Sequence, residues 1–189
     1  MDRRRDQETD TDAPDEPSPG RGAADVPATR VVVVGNGMVG LRFCEELRAR
    51  DEPGRFRITA IGEEPRPAYD RVHLTDFYSE RSAEELQLAD RSWYDERGIE
   101  LLLGERVVAI DRARCAVRTS SDRQVAYDAL VLATGSAPFV PPIPGTDLDG
   151  VFVYRTIEDL EAIRAYAARS RAAAVIGGGL LGLEAAKAM

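Results

Sequence analysis

The sequence predicts an α/β fold organised around a parallel sheet, and three observations carry that expectation. Val31 to Val34 is a run of four β-branched residues, the composition of a strand buried on both faces. Beyond Gly35-Asn36-Gly37, the residues Val39, Phe43 and Leu47 recur every four positions and form one helical apolar stripe as far as about Arg50. Ile58 to Ile61 then returns as a short apolar strand. Strand, turn, helix, strand is a βαβ unit, and its crossover makes the two strands parallel.

Residues 1–29 precede this pattern and differ from it. They hold eight acids, four bases and four prolines, with almost no large apolar side chain. Such a stretch cannot bury enough surface to offset its ordering entropy, so it is expected to be a disordered tail. Pro53-Gly54 is expected to break the first helix. Ser82-Ala83-Glu84-Glu85 reads as a capping box opening a short helix. Ser92 to Arg97 is a second short helix closed by Gly98, and Ile99 to Leu103 is a strand. Val107–Ile110, Cys115–Thr119 and Val125–Tyr127 alternate with turn-rich residues and suggest an antiparallel meander. Leu130 to Ala133 resumes as a buried strand. Thr156 caps a helix carrying Ile157, Leu160 and Ile163, and Ala172 to Ile176 is one more buried strand.

Bulk composition excludes several classes. A net charge of −8 argues against nucleic acid or an anionic membrane as the main partner. The basic residues are almost all arginines, Lys187 being the one lysine, and they are scattered rather than clustered. Cys44 and Cys115 lie far apart and in no CxxC pattern, which speaks for two buried or half-buried free thiols rather than a zinc site or redox pair. Arg3-Arg4-Arg5 lacks the apolar region of a twin-arginine leader, and no apolar run could span a bilayer. A cytoplasmic protein is the expectation.

The chemistry lies in a motif that occurs twice. Gly35-Asn36-Gly37-Met38-Val39-Gly40 is a GxGxxG between a strand and a helix. Gly35 makes the tight turn, Gly37 admits a pyrophosphate against the backbone, and Gly40 lets helix and strand pack closely. The helix N-terminus turns unpaired N–H groups and its positive dipole end on the phosphates. An acid should close the second strand to hold ribose hydroxyls. Glu63 is preferred over its neighbour Glu64, although the spacing from Gly35 is 28 residues rather than about twenty. The second copy is Gly177-Gly178-Gly179-Leu180-Leu181-Gly182, in which Gly177, Gly179 and Gly182 match the fingerprint. Two fingerprints about 140 residues apart are far more specific than one. They suggest a site for FAD and another for a nicotinamide cofactor, NAD(P)H. The fold class thus becomes a Rossmann-like FAD-binding domain with an antiparallel β-meander over residues 30–150. A connecting helix and the start of a second Rossmann-like NAD(P)-binding unit follow over 151–189.

With Ala133-Thr134-Gly135-Ser136 closing the strand after the meander, residues 30–189 resemble the two-dinucleotide flavoprotein reductases. The segments Glu63 to Leu74 (EEPRPAYDRVHL), Tyr154 to Leu160 (YRTIEDL) and Gly177 to Ala186 (GGGLLGLEAA), taken with the first fingerprint, are similar to the large subunits of NAD(P)H nitrite reductases. That resemblance implies electron transfer from NAD(P)H through FAD to iron–sulfur and sirohaem centres, with reduction of nitrite to ammonia. It also implies a small nitrite reductase subunit as a possible partner. It places Gly35, Asn36, Gly37, Met38, Val39 and Gly40 at the FAD pyrophosphate, Glu63 at the ribose and Val107 at the adenine end. Thr134, Gly135, Arg71 and Arg155 lie at the flavin and Gly177, Gly179 and Gly182 at the second cofactor site, with Glu184, on the first turn of the helix that follows, helping to position flavin or nicotinamide. Related ferredoxin reductases carry a flavin-side lysine where this chain has Asp76, which favours the nitrite reductase resemblance. The cysteine pair of the disulfide reductases is absent. No catalytic side chain is required, since hydride transfer to flavin does not need His73, the lone histidine. The sirohaem and iron–sulfur cysteines and the returning segment of the FAD domain are not in this chain, so by itself it is expected to lack nitrite reductase activity. A ferredoxin- or rubredoxin-reductase-like electron-transfer flavoprotein and a non-catalytic truncated remnant are the alternative readings.

Overall fold

The computed structural model describes residues 27–51, 54–79 and 81–188. Most of the expected tail, and the Pro53 part of the expected helix break, lie outside the described residues. Four strands form a parallel sheet in the order β3-β2-β1-β7. β1 (Thr29–Val34) sits beside β2 (Phe56–Gly62) on one side and β7 (Ala129–Leu132) on the other, and β2 pairs with β3 (Ile99–Leu103). The chain leaves β1 toward β2 and β3, then returns to the opposite side for β7. The loop after β1 therefore lies where the strand order reverses, the place where open α/β sheets bind ligands.

Alternation along β1 explains the sheet's two faces. Val31 and Val33 join a cluster with Leu41 and Cys44 of α1 (Met38–Ala49) and with Tyr94 of α3 (Arg91–Glu96). Val32 and Val34 point the other way, to Val117 and Tyr127 of the meander. That meander is a separate antiparallel sheet of β4 (Val107–Asp111), β5 (Ala116–Thr119) and β6 (Gln124–Ala126). Helices cover one face of the parallel sheet and the small sheet covers the other. All four valines are buried, as the β-branched run predicts.

A third cluster fixes the remaining helix. α4 (Ile157–Ala167) buries Ile157 and Leu160 against Tyr69, Leu74, Phe77 and Leu86. Thr156 caps it as expected: its hydroxyl accepts from the Asp159 N–H at 3.1 Å, and the Asp159 carboxylate accepts from the Thr156 N–H at 2.9 Å. Arg66 reaches α4 from the loop after β2, pairing with Glu158 at 2.7 Å.

Several local expectations need correction. The buried stripe of α1 is Gly40, Leu41 and Cys44, with Phe43 and Leu47 only half-buried; Val39 is 71% exposed, because it opens the helix beyond the sheet's edge. The Ser82–Glu85 capping box forms, with reciprocal bonds of 2.7 and 3.3 Å, but one turn succeeds it rather than a helix, and the chain then bridges back from Gln87 to Tyr69. Four residues (Asp76–Ser79, α2) are helical just before it. Leu130 to Ala133 is an edge strand and only half-buried. Cys115 is exposed in the β4–β5 turn with a φ of 49°, while Cys44 alone is buried. Ala172 to Ile176 is exposed and forms no strand. A strand needs a neighbour, and among the described residues none pairs with it.

Candidate dinucleotide-binding site

The first fingerprint is held tightly on three sides. Gly35 has φ +107°, and a Cβ there would lie 2.2 Å from the Ala133 carbonyl oxygen. Its N–H donates to the Ile61 carbonyl at 2.8 Å, while the Ala133 N–H donates to the Val34 carbonyl at 2.7 Å. The turn is thus wedged between the ends of β2 and β7. A Cβ on Gly40 would sit 1.9 Å from the Gly35 oxygen, so α1 can approach β1 only with glycine there. Gly37 is different: a Cβ on it would meet nothing within 4 Å. It is the N-cap of α1, with no side-chain cap bond and no acid in the first turn. The N–H groups of that turn, including those of Met38 and Val39, therefore face open space as donors for an anion.

Asn36 adds a polar group at the same place. Tyr94, fully buried, donates its hydroxyl to Asn36 Oδ1 at 3.0 Å, and burial pushes the Tyr94 phenol up so that it stays protonated. The Asn36 amide nitrogen is buried and has no partner among the described residues. Open space at Gly37 and a buried donor beside it without a partner among the described residues are compatible with a dinucleotide.

The acid at the end of β2 is well placed. Backbone bonds from Glu105 to Gly62 at 2.9 Å and from Gly104 to Glu64 at 3.0 Å hold this loop. Glu63 is exposed, its one ion pair among the described residues being a 3.5 Å contact to the exposed Arg106, next to Val107 at the start of β4. Glu64 is already committed: its carboxylate accepts from the Tyr69 hydroxyl at 2.7 Å and pairs with Arg71. Of the two acids, Glu63 is thus the less committed.

Thr134 and Gly135 follow β7, exposed and beside the Gly35 turn; Gly135 has φ +68°. A Cβ on Gly135 would be 3.4 Å from the Arg155 guanidinium. The fold thus gathers the first fingerprint, Glu63, Val107, Thr134, Gly135 and Arg155 around the carboxyl ends of the parallel strands. Gly177, Gly179 and Gly182 stand apart in a second turn opening α5 (Leu180–Ala188), with Gly177 and Gly179 exposed and Gly182 half-buried. Its one polar tie to the first unit, among the described residues, is the Thr75 hydroxyl donating to Glu184 at 3.1 Å; Thr75 in turn accepts from the Tyr154 hydroxyl at 3.3 Å.

Sequence reasoning missed Tyr94 and Tyr69, and weighed Glu64 only as the alternative ribose acid to Glu63. None belongs to a fingerprint. For Tyr69 and Glu64 the signal in reach was that EEPRPAYDRVHL and YRTIEDL both carry the family resemblance, and the two segments prove to be packed on each other; Tyr94 lies in neither.

A parallel sheet with a glycine turn at its switch point, a meander on one face and a second glycine turn downstream defines a Rossmann-like α/β protein with two dinucleotide fingerprints. Residues 29–189 match the family described as pyridine nucleotide-disulphide oxidoreductase, and the chain belongs to that family. It is 52% identical over 160 residues to the nitrite reductase (NADH) large subunit of Escherichia coli, covering 85% of this chain and 19% of that protein. It is 45% identical to the assimilatory nitrate reductase electron transfer subunit of Bacillus subtilis, covering 83% of this chain and 20% of that one. The solved ferredoxin reductase for the CYP199A2 system of Rhodopseudomonas palustris superposes with a TM-score of 0.77 at 31% identity, over 85% of this chain and 40% of that one. The chain spans about a fifth of the length of these nitrite and nitrate reductase relatives. Among the described residues no helix is long and apolar enough to cross a membrane.

Proposed function

We propose that this chain is the electron-entry module of an NAD(P)H-dependent nitrite reductase, binding FAD at the first fingerprint and NAD(P)H at the second. The observation that carries the reading is the pair of glycine turns that each open a helix, the first of them following β1 and with an open cradle at Gly37. Bound there, the flavin would accept hydride from the reduced nicotinamide and release electrons singly toward iron–sulfur and sirohaem centres in another part of the protein. The N–H groups of the first turn of α1 would hold the pyrophosphate, Asn36 would supply its unpaired amide, and Glu63 would take the ribose hydroxyls. Arg155 would bring a positive charge to the flavin beside Gly135, with Thr134 lining the same loop. Gly177, Gly179 and Gly182 would repeat the phosphate cradle for NAD(P)H, and Glu184 would stand next to it. A small nitrite reductase subunit is the protein partner this reading entails.

The similarity to the Bacillus subtilis electron transfer subunit favours one second reading, an electron-transfer flavoprotein with a protein acceptor. Titrating the purified protein with FAD, then adding NADH or NADPH without oxygen, separates the readings. Stoichiometric FAD, bleached by the nicotinamide and reoxidised by nitrite only once a polypeptide carrying the iron–sulfur and sirohaem centres is added, supports the nitrite reductase module. Bleaching with reoxidation only by ferredoxin or another carrier protein supports the second reading. A protein that retains no FAD under any condition overturns both.

A further inference from the structure

Both backbone polar groups of Arg155 are gripped by side chains. Its N–H donates to Asp159 at 3.1 Å, and its carbonyl accepts from Arg71 Nη1 at 3.2 Å. The Arg155 guanidinium itself makes no hydrogen bond or ion pair among the described residues, and it lies against Gly135. Arg71 is the opposite case. Its Nη2 pairs with Glu64, its guanidinium lies 4.9 Å from the centre of the Tyr69 ring, and the Tyr69 hydroxyl donates to the same Glu64 at 2.7 Å. Arg71 and Glu64 are each only about a quarter exposed, 25% and 23%. Burial, then the bond to Glu64, pushes the Tyr69 phenol up, so it remains a donor at any ordinary pH. A planar fork with one nitrogen on a carboxylate, another on a carbonyl and its face on an aromatic ring is fully oriented.

We propose that Arg71 is a positioning residue: with Glu64 and Tyr69 it forms a strut that fixes the Arg155 backbone, and Arg155 alone presents its charge to the flavin. The inference rests on FAD occupying the first site. It divides two arginines that sequence similarity groups together. It also gives Glu64 a task distinct from that of Glu63, one carboxylate holding the protein and its neighbour the cofactor.

The test is a double-mutant cycle on the FAD-loaded protein with Arg71→Met, Arg155→Met and both. The readouts are FAD affinity and the visible circular-dichroism spectrum of the bound flavin. Arg155→Met should weaken FAD roughly 10- to 100-fold, the worth of a bond to a charged group. Arg71→Met should shift affinity and flavin spectrum in the same direction, and the double variant should be no weaker than Arg155→Met within about twofold. Glu64→Gln should reproduce Arg71→Met. Multiplying losses in the double variant would make Arg71 a cofactor contact and overturn the proposal. So would an unchanged flavin spectrum in Arg71→Met at full occupancy, since a merely structural strut would lower stability alone. Should Arg71→Met fail to fold, Tyr69→Phe removes one hydroxyl of the strut, and its effect must vanish in the Arg155→Met background. A wild-type protein that binds no FAD would remove the underlying reading and the inference with it. FAD binding with additive arginines would remove the inference only.

Discussion

The two fingerprints fold into the same local turn and meet different surroundings. The first glycine of each has a left-handed φ, +107° at Gly35 and +131° at Gly177. A Cβ on the last glycine would lie 1.9 Å from the first glycine's carbonyl oxygen in both, and 3.7 Å from the valine Cγ1 two residues before that glycine, Val33 or Val175. Yet Gly35 is enclosed by Ala133 and Thr134, whereas a Cβ on Gly177 would meet nothing within 4 Å. Val33 is fully buried, while Ile176 and Leu180 are 83% and 82% exposed. Six residues suffice to shape the glycine turn. A sheet on both sides is needed to make it rigid.

The largest effect that could break the comparison is on folding. Gly40→Ala forces a methyl into the Gly35 oxygen where β2 and β7 leave no room to retreat. It should cost about 3 kcal/mol or more in urea unfolding. Gly182→Ala builds the same clash, but the segment before α5 has no paired neighbour among the described residues and can open. The cost there should stay below about 1 kcal/mol, partly offset by the helix preference for alanine. Equal costs in the two variants would show that the second turn is as enclosed as the first.

A second substitution separates folding from binding within the first turn. A Cβ at Gly37 meets nothing in the fold, and its backbone is extended, with φ −89° and ψ −167°. Gly37→Val should therefore change stability by no more than about 1 kcal/mol, the loss of a favourable cap residue. The same side chain fills the space proposed for the pyrophosphate. FAD affinity should fall on the order of 100-fold, about 2.7 kcal/mol. Full flavin occupancy in Gly37→Val would remove the phosphate cradle.

Legibility in the sequence divides along the same line. β1, β2 and the meander could be read from their short apolar and β-branched runs, α1 as a helix but not by its buried face, and both glycine turns because their first glycines have a left-handed φ. The Thr156 cap was legible and opens a helix, its box with Asp159 emerging only in the structure; the Ser82–Glu85 box was legible and completes one turn. The difference lies in the residues after each box. Ile157, Leu160 and Ile163 give α4 a stripe to bury, whereas after Glu85 only Leu86 is buried in that turn and Gln87 pairs with Tyr69 instead. The exposed course of Ala172 to Ile176 could not be read, because its composition is that of a buried strand and pairing is not a local property. Tyr94 beneath Asn36, and Glu64 beneath Arg71, are contacts between segments far apart in sequence or role, with no motif to announce them.

The adjacent glutamates offer a smaller test. Glu63→Ala removes an exposed side chain with one weak ion pair, so stability should hold within about 0.5 kcal/mol while FAD affinity falls roughly 10- to 100-fold. Glu64→Ala should do the reverse in kind, lowering stability through the lost bonds to Tyr69 and Arg71. If Glu63→Ala leaves FAD affinity unchanged, the ribose-holding role passes from Glu63 and the match between sequence and site fails at that position.

The smallest expected effect concerns the other end of the sheet, where β1 has a tie that the second turn lacks. Arg30 pairs with Asp128 at 2.6 Å, and the Arg30 backbone N–H also donates to that carboxylate at 2.8 Å, joining β1 to the residue before β7. Those hydrogen bonds from Arg30 hold the Asp128 carboxyl down to about 2, against an ordinary 3.8. A carboxyl depressed on folding contributes stability that is complete above its unfolded pKa and fades as pH falls through its folded one. The contribution should therefore be full above about pH 4 and disappear by about pH 2. Both partners are exposed, so it should be small and should shrink with salt. Arg171, which precedes the second strand-like segment, makes no such pair among the described residues. Urea midpoints of wild type and Asp128→Asn, compared from pH 5 to pH 2, isolate the effect because every other titrating group cancels. The two curves should be separated at pH 5 and converge by pH 2. Parallel curves would mean that the Arg30 tie adds no charge-dependent stability, and that β1 is held by its strand neighbours and its buried valines alone.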